Sequence, residues 1–475
     1  MPMIVAMVLA AVMLVDVLAA PATAAPTVTV DTFEDSYDGS CADGDCSLRD
    51  AIASVDADGT VRLPSGFYAL TIEGAGDIAA GDLDVGRVME IVAIGETGAF
   101  LDASALGDRA FDVSADLTLE RLTVLGGTAA GRGGVARVTA ATTRIAGSTL
   151  VGGSAVDGGA VAVGGGAAVV LTRSWVSAGA ASDRGGALFV RGTATVARST
   201  LSDATAHAGG AAFVTGSGSL RILDSTVSSN DAGGAGGALH VRGEATVRSS
   251  TVARNRAAVG GGIVAASGSS VTLASSVLEG NEATGRRSPT CSRRLTSVGN
   301  NIADTGGCGL DGAGDRPGTD PRLGPLRQNG GPTPTHVLRT ASPAIGNGGV
   351  GCAALDQRGA PRSDCDSGAY ELVFCFGRPV TIVGTRGPDD LSGGLNPDVF
   401  LGRDGDDVFQ GSLGRDRACG DRGGDRLVGG PDRDRLAGNG GDDVLRGEGG
   451  DDQLFGGTGA DVCRGGPGID VSRRC

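Results

Sequence analysis

Aliphatic residues recur at intervals of 25 or 26 residues between about residue 130 and residue 280. A serine stands two positions before each of them, and paired glycines precede short β-prone stretches such as 187–190 on the same period. The aliphatic residues are Leu150, Val176, Leu201, Val227, Val252 and Leu278, and the serines are Ser148, Ser174, Ser199, Ser225, Ser250 and Ser276. Glycine supplies tight turns, and a propeller blade would need about 40 residues. The period therefore predicts a parallel β-helix in which one inward position stacks from coil to coil.

Three asparagines mark one further position of these coils. Asn230, Asn255 and Asn281 each follow their serine by five residues, so they are predicted to lie at one corner of successive coils. Stacked amides at such a corner can hydrogen-bond along the column. No 3.6-residue helical period appears in this region.

A shorter period begins at Gly384 and continues to residue 475. Every ninth residue is a glycine, an aspartate follows each glycine by five positions, and in seven of the ten units a leucine or phenylalanine follows two positions later. The aspartates are Asp389, Asp398, Asp407, Asp416, Asp425, Asp434, Asp443, Asp452, Asp461 and Asp470. The large apolar residues are Leu391, Phe400, Phe409, Leu427, Leu436, Leu445 and Leu454. Calcium takes several carboxylate and carbonyl oxygens with flexible geometry. The ten aspartates are therefore the predicted Ca²⁺ ligands, and the apolar residues are the predicted core.

The fourth position of the nine-residue unit is glycine in eight units and Asn396 or Asp432 in the other two. Asparagine and aspartate tolerate a positive φ better than other non-glycine residues. The sequence therefore predicts a positive φ at this position throughout the array.

The N-terminus begins with an apolar run over residues 4–20, broken only by Asp16 and followed by small residues at 21–25. This pattern predicts a signal peptide, residues 1–24, cleaved after Ala24; a buried helix is the alternative. No later stretch is apolar enough to cross a bilayer, so no transmembrane segment is expected in the mature chain.

The ten cysteines fall into pairs that are close in sequence. The expected disulfides are Cys41–Cys46, Cys291–Cys308, Cys352–Cys365, Cys375–Cys419 and Cys463–Cys475. A zinc site is the rival interpretation, but Cys-x-x-Cys spacing is absent and the chain has three histidines. Disulfides indicate an oxidising compartment and agree with export.

Composition narrows the choice of partners. The chain has 475 residues, 85 of them glycine, and a formal net charge of −15 at pH 7. That charge disfavours nucleic acid and anionic lipid surfaces and favours metal cations. All 40 basic residues are arginine, so catalysis by a lysine is excluded.

Several motifs outside the repeats resemble known families. The run Cys46-Ser47-Leu48-Arg49-Asp50-Ala51-Ile52 resembles the CSLREA-type start of secreted right-handed β-helix proteins, with aspartate in place of the usual glutamate. The segments 329–336, 342–345, 356–359 and 366–371 resemble the choice-of-anchor segment that closes such helices, with Gly346 in place of the usual aspartate. The resemblance implies a protein defined by its architecture at the cell surface.

The C-terminal array is similar to RTX repeats, whose Gly-Gly-x-Gly-x-Asp-x-(large aliphatic)-x unit forms a parallel β-roll with calcium in each turn. The resemblance implies an ion between each turn and the turn two units on, which gives an upper limit of about eight ions for ten units. Arg415 and Arg433 precede Asp416 and Asp434, and a nearby cation competes with calcium. The central sites are therefore expected to be the weakest.

Together these observations predict an all-β protein: a right-handed parallel β-helix solenoid followed by a C-terminal calcium-binding parallel β-roll. The expected division is a signal peptide at 1–24, the β-helix with its N-terminal cap at 25–319, a closing segment at 320–374 and the β-roll at 375–475. The expected protein is secreted or surface-associated, binds Ca²⁺, and contacts an extracellular polysaccharide or a cell-surface protein. Its expected role is structural or adhesive.

A carbohydrate-active enzyme, a polysaccharide lyase or hydrolase, is the alternative function because parallel β-helices often carry such activities. Asp157 and Asp183 are 26 residues apart and could be neighbours, although aspartate is commoner as a turn residue. Phe189, Phe213 and His240 are predicted to form one outward column, which could bind sugar rings or simply stiffen the sheet. No catalytic residues are assigned, and the sequence favours a protein that is not an enzyme.

Overall fold

The computed structural model describes residues 25–74, 77–285, 290–349 and 352–475. The expected signal peptide lies outside the described residues. Within them the chain is almost entirely β, with one short α-helix, Leu48–Ser54. No helix in this part of the chain is long and apolar enough to cross a membrane.

Three parallel sheets form the predicted β-helix. The first sheet has 20 strands: Thr27–Thr29, Gly59–Ala69, Met89–Asp102, Leu117–Glu120, Leu122–Leu125, Thr142–Ala146, Thr149–Val151, Ala168–Thr172, Trp175–Ser177, Thr193–Ala197, Thr200–Ser202, Ser219–Leu223, Thr226–Ser228, Glu244–Arg248, Thr251–Ala253, Ser270–Ala274, Val277–Glu279, Thr296–Gly299, Ile302–Ala303 and Arg316–Pro317. The second has six: Ser154–Asp157, Ala180–Arg184, Thr205–Ala208, Asp231–Ala235, Arg256–Val259 and Glu282–Ala283. The third has eight: Leu83–Val85, Phe111–Val113, Ala136–Val138, Val161–Val163, Leu188–Val190, Ala212–Val214, Leu239–Val241 and Ile263–Ala265.

The predicted serine column is a buried hydrogen-bond ladder. From Ser174 onward, the hydroxyl of each serine accepts the backbone N–H of the serine one coil earlier, at 3.1–3.3 Å. The hydroxyl of Ser148 accepts the N–H of Leu122 at 3.1 Å. The same hydroxyl donates to the carbonyl two residues before it, as Ser174 does to Thr172 at 2.9 Å. The aliphatic residues that follow are at most 1% exposed, which confirms the predicted inward column. Serine is used at this corner because a buried N–H left without a partner costs about 1–3 kcal/mol.

The asparagine ladder is also confirmed. Asn230 donates from Nδ2 to Oδ1 of Asn255 at 2.8 Å, and Asn255 donates to Asn281 at 2.9 Å. The same Oδ1 atom of Asn255 accepts the backbone N–H of Asn230 at 3.0 Å. The side-chain amide of Asn255 thus forms hydrogen bonds both to the backbone at the corner and to the side-chain amide in the adjacent coil.

The motif around residues 46–52 caps the first coil. Ser47 and Asp50 form a reciprocal capping box at the start of the helix. Arg49 is fully buried, contacts Asp35 at 2.6 Å and donates to the carbonyl of Gly81 at 2.7 Å. The helix places apolar residues such as Ile52 into the same core that the coils share. This arrangement covers the backbone edge at which a solenoid would otherwise end.

The closing segment packs along the side of the β-helix. It contains a hairpin, Leu323–Arg327 with Thr335–Leu338, and it contacts successive coils through one outward column of the first sheet. Gln357 bonds to Thr200 and Thr226 at 2.7 and 2.6 Å, and the N–H of Ala369 donates to Thr251 at 3.1 Å. This lateral docking has no signal in the sequence motifs, which predicted only a segment that closes the β-helix.

Residues from Ile382 onward form the β-roll. Successive nine-residue units place their strands alternately in two parallel sheets. One sheet contains Ile382–Val383, Val399–Asp404, Arg417–Arg422, Arg435–Gly440, Gln453–Thr458 and Val471–Arg473; the other contains Asp390–Ser392, Val408–Gln410, Arg426–Gly430, Val444–Glu448 and Val462–Arg464. A small hairpin, Phe374–Cys375 with Arg378–Pro379, precedes them. Six of the seven predicted apolar residues lie in one buried core together with Ala418, and the seventh, Leu391, is partly buried and packs against this core. Phe400 stacks on Phe409 at 4.7 Å.

All five expected disulfides are present. The Cys375–Cys419 bond links the hairpin before the roll to a strand inside it, closing 44 residues of sequence. A bond of this span restricts the unfolded chain and holds the roll against the segment that precedes it.

Candidate metal centre

The ten aspartates repeat at one position of the roll, and each stands directly before the first residue of a strand. Six of them are at most 1% exposed: Asp407, Asp416, Asp425, Asp434, Asp443 and Asp452. Two at each end, Asp389, Asp398, Asp461 and Asp470, are half-buried. The difference follows from stacking, because each turn is covered by the turns two units away and the end turns lack one such neighbour.

One oxygen of each carboxylate is committed to the backbone. Oδ1 accepts the N–H of the aspartate 18 residues earlier, at 2.8–3.0 Å, in eight successive pairs. The eight acceptors are Asp407, Asp416, Asp425, Asp434, Asp443, Asp452, Asp461 and Asp470. A turn is thereby tied to the turn two units on.

In the six buried aspartates, the second carboxylate oxygen has no hydrogen-bond partner among the described residues. Oδ2 of all six buried aspartates is buried and unsatisfied. Burial raises the pKa of Asp425 and Asp434 to about 7, and it raises the pKa of Asp407, Asp416 and Asp443 to about 6; the aspartates in neighbouring turns add to the rise. Burial likewise raises the pKa of Asp452. A charged, buried oxygen without a donor is unfavourable unless a cation neutralises it.

The first glycine of each unit leaves room for these oxygens. A Cβ atom on Gly402 would lie 2.4 Å from Oδ2 of Asp407 and 2.5 Å from the carbonyl oxygen of Gly420. On Gly411 it would lie 2.4 Å from Oδ2 of Asp416. A carboxylate oxygen and a carbonyl oxygen thus converge beside a glycine, and oxygens of these two kinds suit a hard cation such as Ca²⁺.

The predicted positive φ at the fourth position is wrong in three units. Seven of the eight glycines there have φ between 107° and 150°, but Gly387, Asn396 and Asp432 do not have a positive φ. Gly387 and Asn396 each precede a proline, and proline holds the preceding residue in an extended conformation. Asp432 has a Cβ atom, and residues with a Cβ atom rarely adopt the φ values that the glycines have at this position. Its backbone therefore differs from that of the glycines.

Five non-glycine residues with positive φ lie instead at the second position of the unit. They are Arg403, Ser412, Asp421, Asn439 and Glu448, with φ between 72° and 93°. No sequence pattern indicated this, because these five residues share no side-chain type.

Arg415 and Arg433 have exposed side chains, whereas Asp416 and Asp434 beside them are as buried as the other central aspartates. The weaker calcium binding expected at these units stays a prediction.

The carboxylates considered for catalysis lie in ion pairs with arginine. Asp157 is buried and contacts Arg184 at 2.8 Å and Arg132 at 3.2 Å. Asp183 is half-buried and lies 3.1 Å from the same Arg184. Asp157 is therefore shared between two arginines at a coil corner, and its single negative charge offsets one of their two positive charges.

The aromatic column is buried beneath arginine side chains. Phe189 and Phe213 stack with ring centroids 6.0 Å apart, and His240 continues the column at 4.9 Å. Both phenylalanines are 1% exposed because guanidinium groups, including that of Arg184, cover the rings at 5.0–5.4 Å. The column thus stiffens the sheet, and sugar rings cannot reach its phenylalanines in this structure.

Comparisons with known proteins agree with this architecture. The right-handed β-helix region family matches residues 134–311. The RTX calcium-binding nonapeptide repeat family matches residues 383–418, 420–454 and 438–471. The chain is a right-handed parallel β-helix protein that carries calcium-binding RTX repeats.

A search of the curated proteins found no match. Among solved structures, the chain is similar to pectate lyase Pel9A at 14% identity, covering 73% of this chain and 97% of that one, with a TM-score of 0.41. It is also similar to the PL6 family alginate lyase AlyGC at 10% identity, covering 85% and 73%, with a TM-score of 0.23.

Proposed function

We propose that the ten aspartates named above bind Ca²⁺ between turns of the roll, with at most about eight ions. The observation that carries this proposal is the row of six buried Oδ2 atoms without a hydrogen-bond partner. Bound calcium would neutralise the negative charge of these carboxylates, whose Oδ2 atoms have no hydrogen-bond donor among the described residues. The residues present, carboxylates together with backbone carbonyls, are the ligands that calcium prefers.

Calcium binding is proposed to fold the roll. Without a cation the central turns hold desolvated carboxylates one above another, which opposes folding. A ligand that binds only the folded chain stabilises it, so the roll is loose where calcium is scarce and folds where calcium is abundant. Five disulfides support an oxidising, extracellular destination.

The biological role that we propose is structural or adhesive, at the cell surface or in the extracellular matrix. The proposed division of the chain is the β-helix at 25–319, the laterally packed segment at 320–374 and the roll at 375–475. Ladders of serine, asparagine and aromatic residues make the β-helix a rigid rod. The calcium roll would stiffen one end of it after export.

Calcium titration of the full-length protein tests this proposal. After removal of divalent ions with a chelator, calorimetry is expected to show saturable binding of up to about eight ions. Hydrogen exchange in residues 382–473 is expected to slow on addition of calcium, whereas exchange in the β-helix stays unchanged. Unchanged exchange in the roll would refute calcium-induced folding, and equal binding of magnesium would refute selectivity for calcium.

An activity screen tests the non-enzymatic role. The protein is expected to give no turnover of acidic polysaccharides in the presence of calcium. Turnover that is lost in Asp157→Ala or Asp183→Ala would establish the polysaccharide lyase or hydrolase alternative.

A further inference from the structure

An arginine-rich cleft lies between the β-helix, the closing segment and the first turns of the roll. Its volume is about 490 Å³, and six of its fifteen lining residues are arginines, against one acidic residue, Glu120. The chain as a whole has a net charge of −15, so this concentration of positive charge stands against its average composition. A cleft of this size accommodates a small ligand or the end of a chain, and a nucleic-acid duplex is too wide for it.

The β-helix contributes three of these arginines from one corner. Arg121, Arg173 and Arg198 have φ of 60°, 49° and 48°. This left-handed conformation favours glycine, asparagine and aspartate, and Gly147 occupies the same corner in the coil between the first two. Backbone geometry therefore gives no reason for arginine here, and residues held in sparsely populated conformations often mark functional sites.

Two of the corner arginines have free guanidinium groups. Within the described residues, neither Arg173 nor Arg198 makes a side-chain hydrogen bond or ion pair. They lie on adjacent coils, and adjacent parallel strands are about 4.8 Å apart. This distance is close to the length of one sugar unit in an extended oligosaccharide.

The opposite wall supplies further positive charge. Arg403 is 8% exposed and donates to the carbonyl of Gly384 at 3.3 Å, and Arg386 is exposed, with only a 3.9 Å contact to Asp404. Two apolar residues, Pro332 and Leu355, also line the cleft. Guanidinium groups bind carboxylates through paired N–H donors, while apolar surfaces pack against the faces of sugar rings.

We propose that this cleft binds the carboxylate-bearing units of an acidic oligosaccharide. Arg173 and Arg198 contact carboxylates of successive sugars, and Arg386, in the first turn of the roll, contacts the ligand from the opposite wall of the cleft. This inference refines the adhesive role proposed above by naming a partner class and a site. It does not depend on how many calcium ions the roll holds.

Calorimetry with the full-length protein in excess calcium tests the inference. The probes are a linear tetrasaccharide of galacturonic acid, the matching tetrasaccharide of galactose and inorganic sulfate. The acidic tetrasaccharide is expected to bind one-to-one, and neither galactose nor sulfate is expected to match it. The double substitution Arg173→Gln with Arg198→Gln should weaken binding at least about tenfold. Arg386→Gln should also weaken it.

The matched control is Arg191→Gln with Arg221→Gln. These arginines are exposed on the β-helix and lie outside the cleft, and the net charge changes equally. Equal weakening by the control pair would show non-specific attraction, and absent binding by the unaltered protein would also overturn the inference. Sulfate that binds as tightly as the tetrasaccharide would show a simple anion site and overturn the oligosaccharide assignment. Hydrogen exchange of the roll in the same samples reports separately on calcium-induced folding.

Discussion

Replacement of a central roll aspartate should have opposite effects with and without calcium. Asp434 is fully buried, its Oδ1 accepts the N–H of Asp416 at 2.8 Å, and its Oδ2 has no hydrogen-bond partner in the part of the chain that the structure describes. Asp434→Asn keeps an oxygen that accepts the N–H of Asp416 and removes the negative charge of the side chain. The metal-free roll should become more stable, whereas the calcium-loaded roll should lose a ligand and become less stable.

The structure bounds the size of the metal-free effect. Burial raises the pKa of Asp434 from 3.8 to about 7. One pKa unit corresponds to about 1.4 kcal/mol, so ionised Asp434 opposes folding at pH 7 by up to about 4 kcal/mol. Because the folded form holds a proton that the unfolded form releases, the metal-free roll loses stability as the pH rises from about 4 to about 7. The amide that Asp434→Asn introduces does not ionise, so the variant escapes this loss.

Hydrogen exchange in the full-length protein measures both effects in the same residues. Peptides covering 426–440 should exchange more slowly than in the unaltered protein with chelator at pH 7.5, and faster with calcium. Asp390→Asn is the control, because Asp390 is exposed and its side chain makes no hydrogen bond or ion pair in the described structure. If Asp434→Asn destabilises the roll equally in both conditions, the buried carboxylate does not serve as a calcium ligand.

Three further predictions concern the roll, the coil corner and the docked segment. Gly420→Ala should lower the calcium stoichiometry in calorimetry, because its Cβ would lie 2.0 Å from Oδ2 of Asp425. Asn255→Ala should lower the free energy of unfolding in urea by about 3 kcal/mol or more, because several buried partners lose their hydrogen bonds. Burial lowers the pKa of His336 to about 4, so the unfolded chain binds the extra proton below pH 6.5. Lowering the pH from 6.5 to 4 should therefore destabilise the protein by up to about 3 kcal/mol, measured as the urea midpoint.

Each of these has a matched comparison. Gly387→Ala should keep full calcium binding, since its Cβ would meet nothing within 4 Å. If Gly387→Ala lowers the calcium stoichiometry as much as Gly420→Ala does, the clash with Oδ2 of Asp425 is not the cause of the loss. Thr193→Ala, at an exposed coil position, should leave the urea midpoint nearly unchanged. His336→Gln should flatten the acid dependence, because the imidazole that bonds to Ser228 and to the carbonyl of Gly324 at 2.8 Å is gone. If His336→Gln shows the same pH dependence of the urea midpoint as the unaltered protein, another titrating group causes that dependence.

The repeats made much of the fold predictable. A residue that recurs once per coil meets its own copy in the next coil, so the asparagine column and the inward aliphatic column could be identified from their spacing alone. The serines marked the period, but their hydrogen-bond ladder was not predicted. The same argument placed Phe400 and Phe409 in the core of the roll. The five disulfides followed from sequence proximity because each closes a short or moderate loop.

The residues proposed for the metal centre could be chosen from the sequence, whereas their arrangement could be predicted only in part. The ten aspartates were visible from their period, whereas the division of labour between Oδ1 and Oδ2 depends on how turns two units apart stack. The φ error at Asn396 could have been avoided, because Pro397 follows it and restricts its backbone. The arginine cover over Phe189 had no sequence signal, since Arg132 and Arg184 reach the ring from different coils.

The sequence by itself determined the two periods, the stacked columns within each repeat and the calcium-type ligand set, because these interactions join residues at a fixed separation. Only the tertiary structure decided how the unlike parts meet. Gln357 reaches Thr200 across 157 residues of sequence, and Arg198 and Arg403 share a cleft although they belong to different repeats. Such contacts have no period, since they depend on the surface shapes of two finished solenoids and of the segment packed between them.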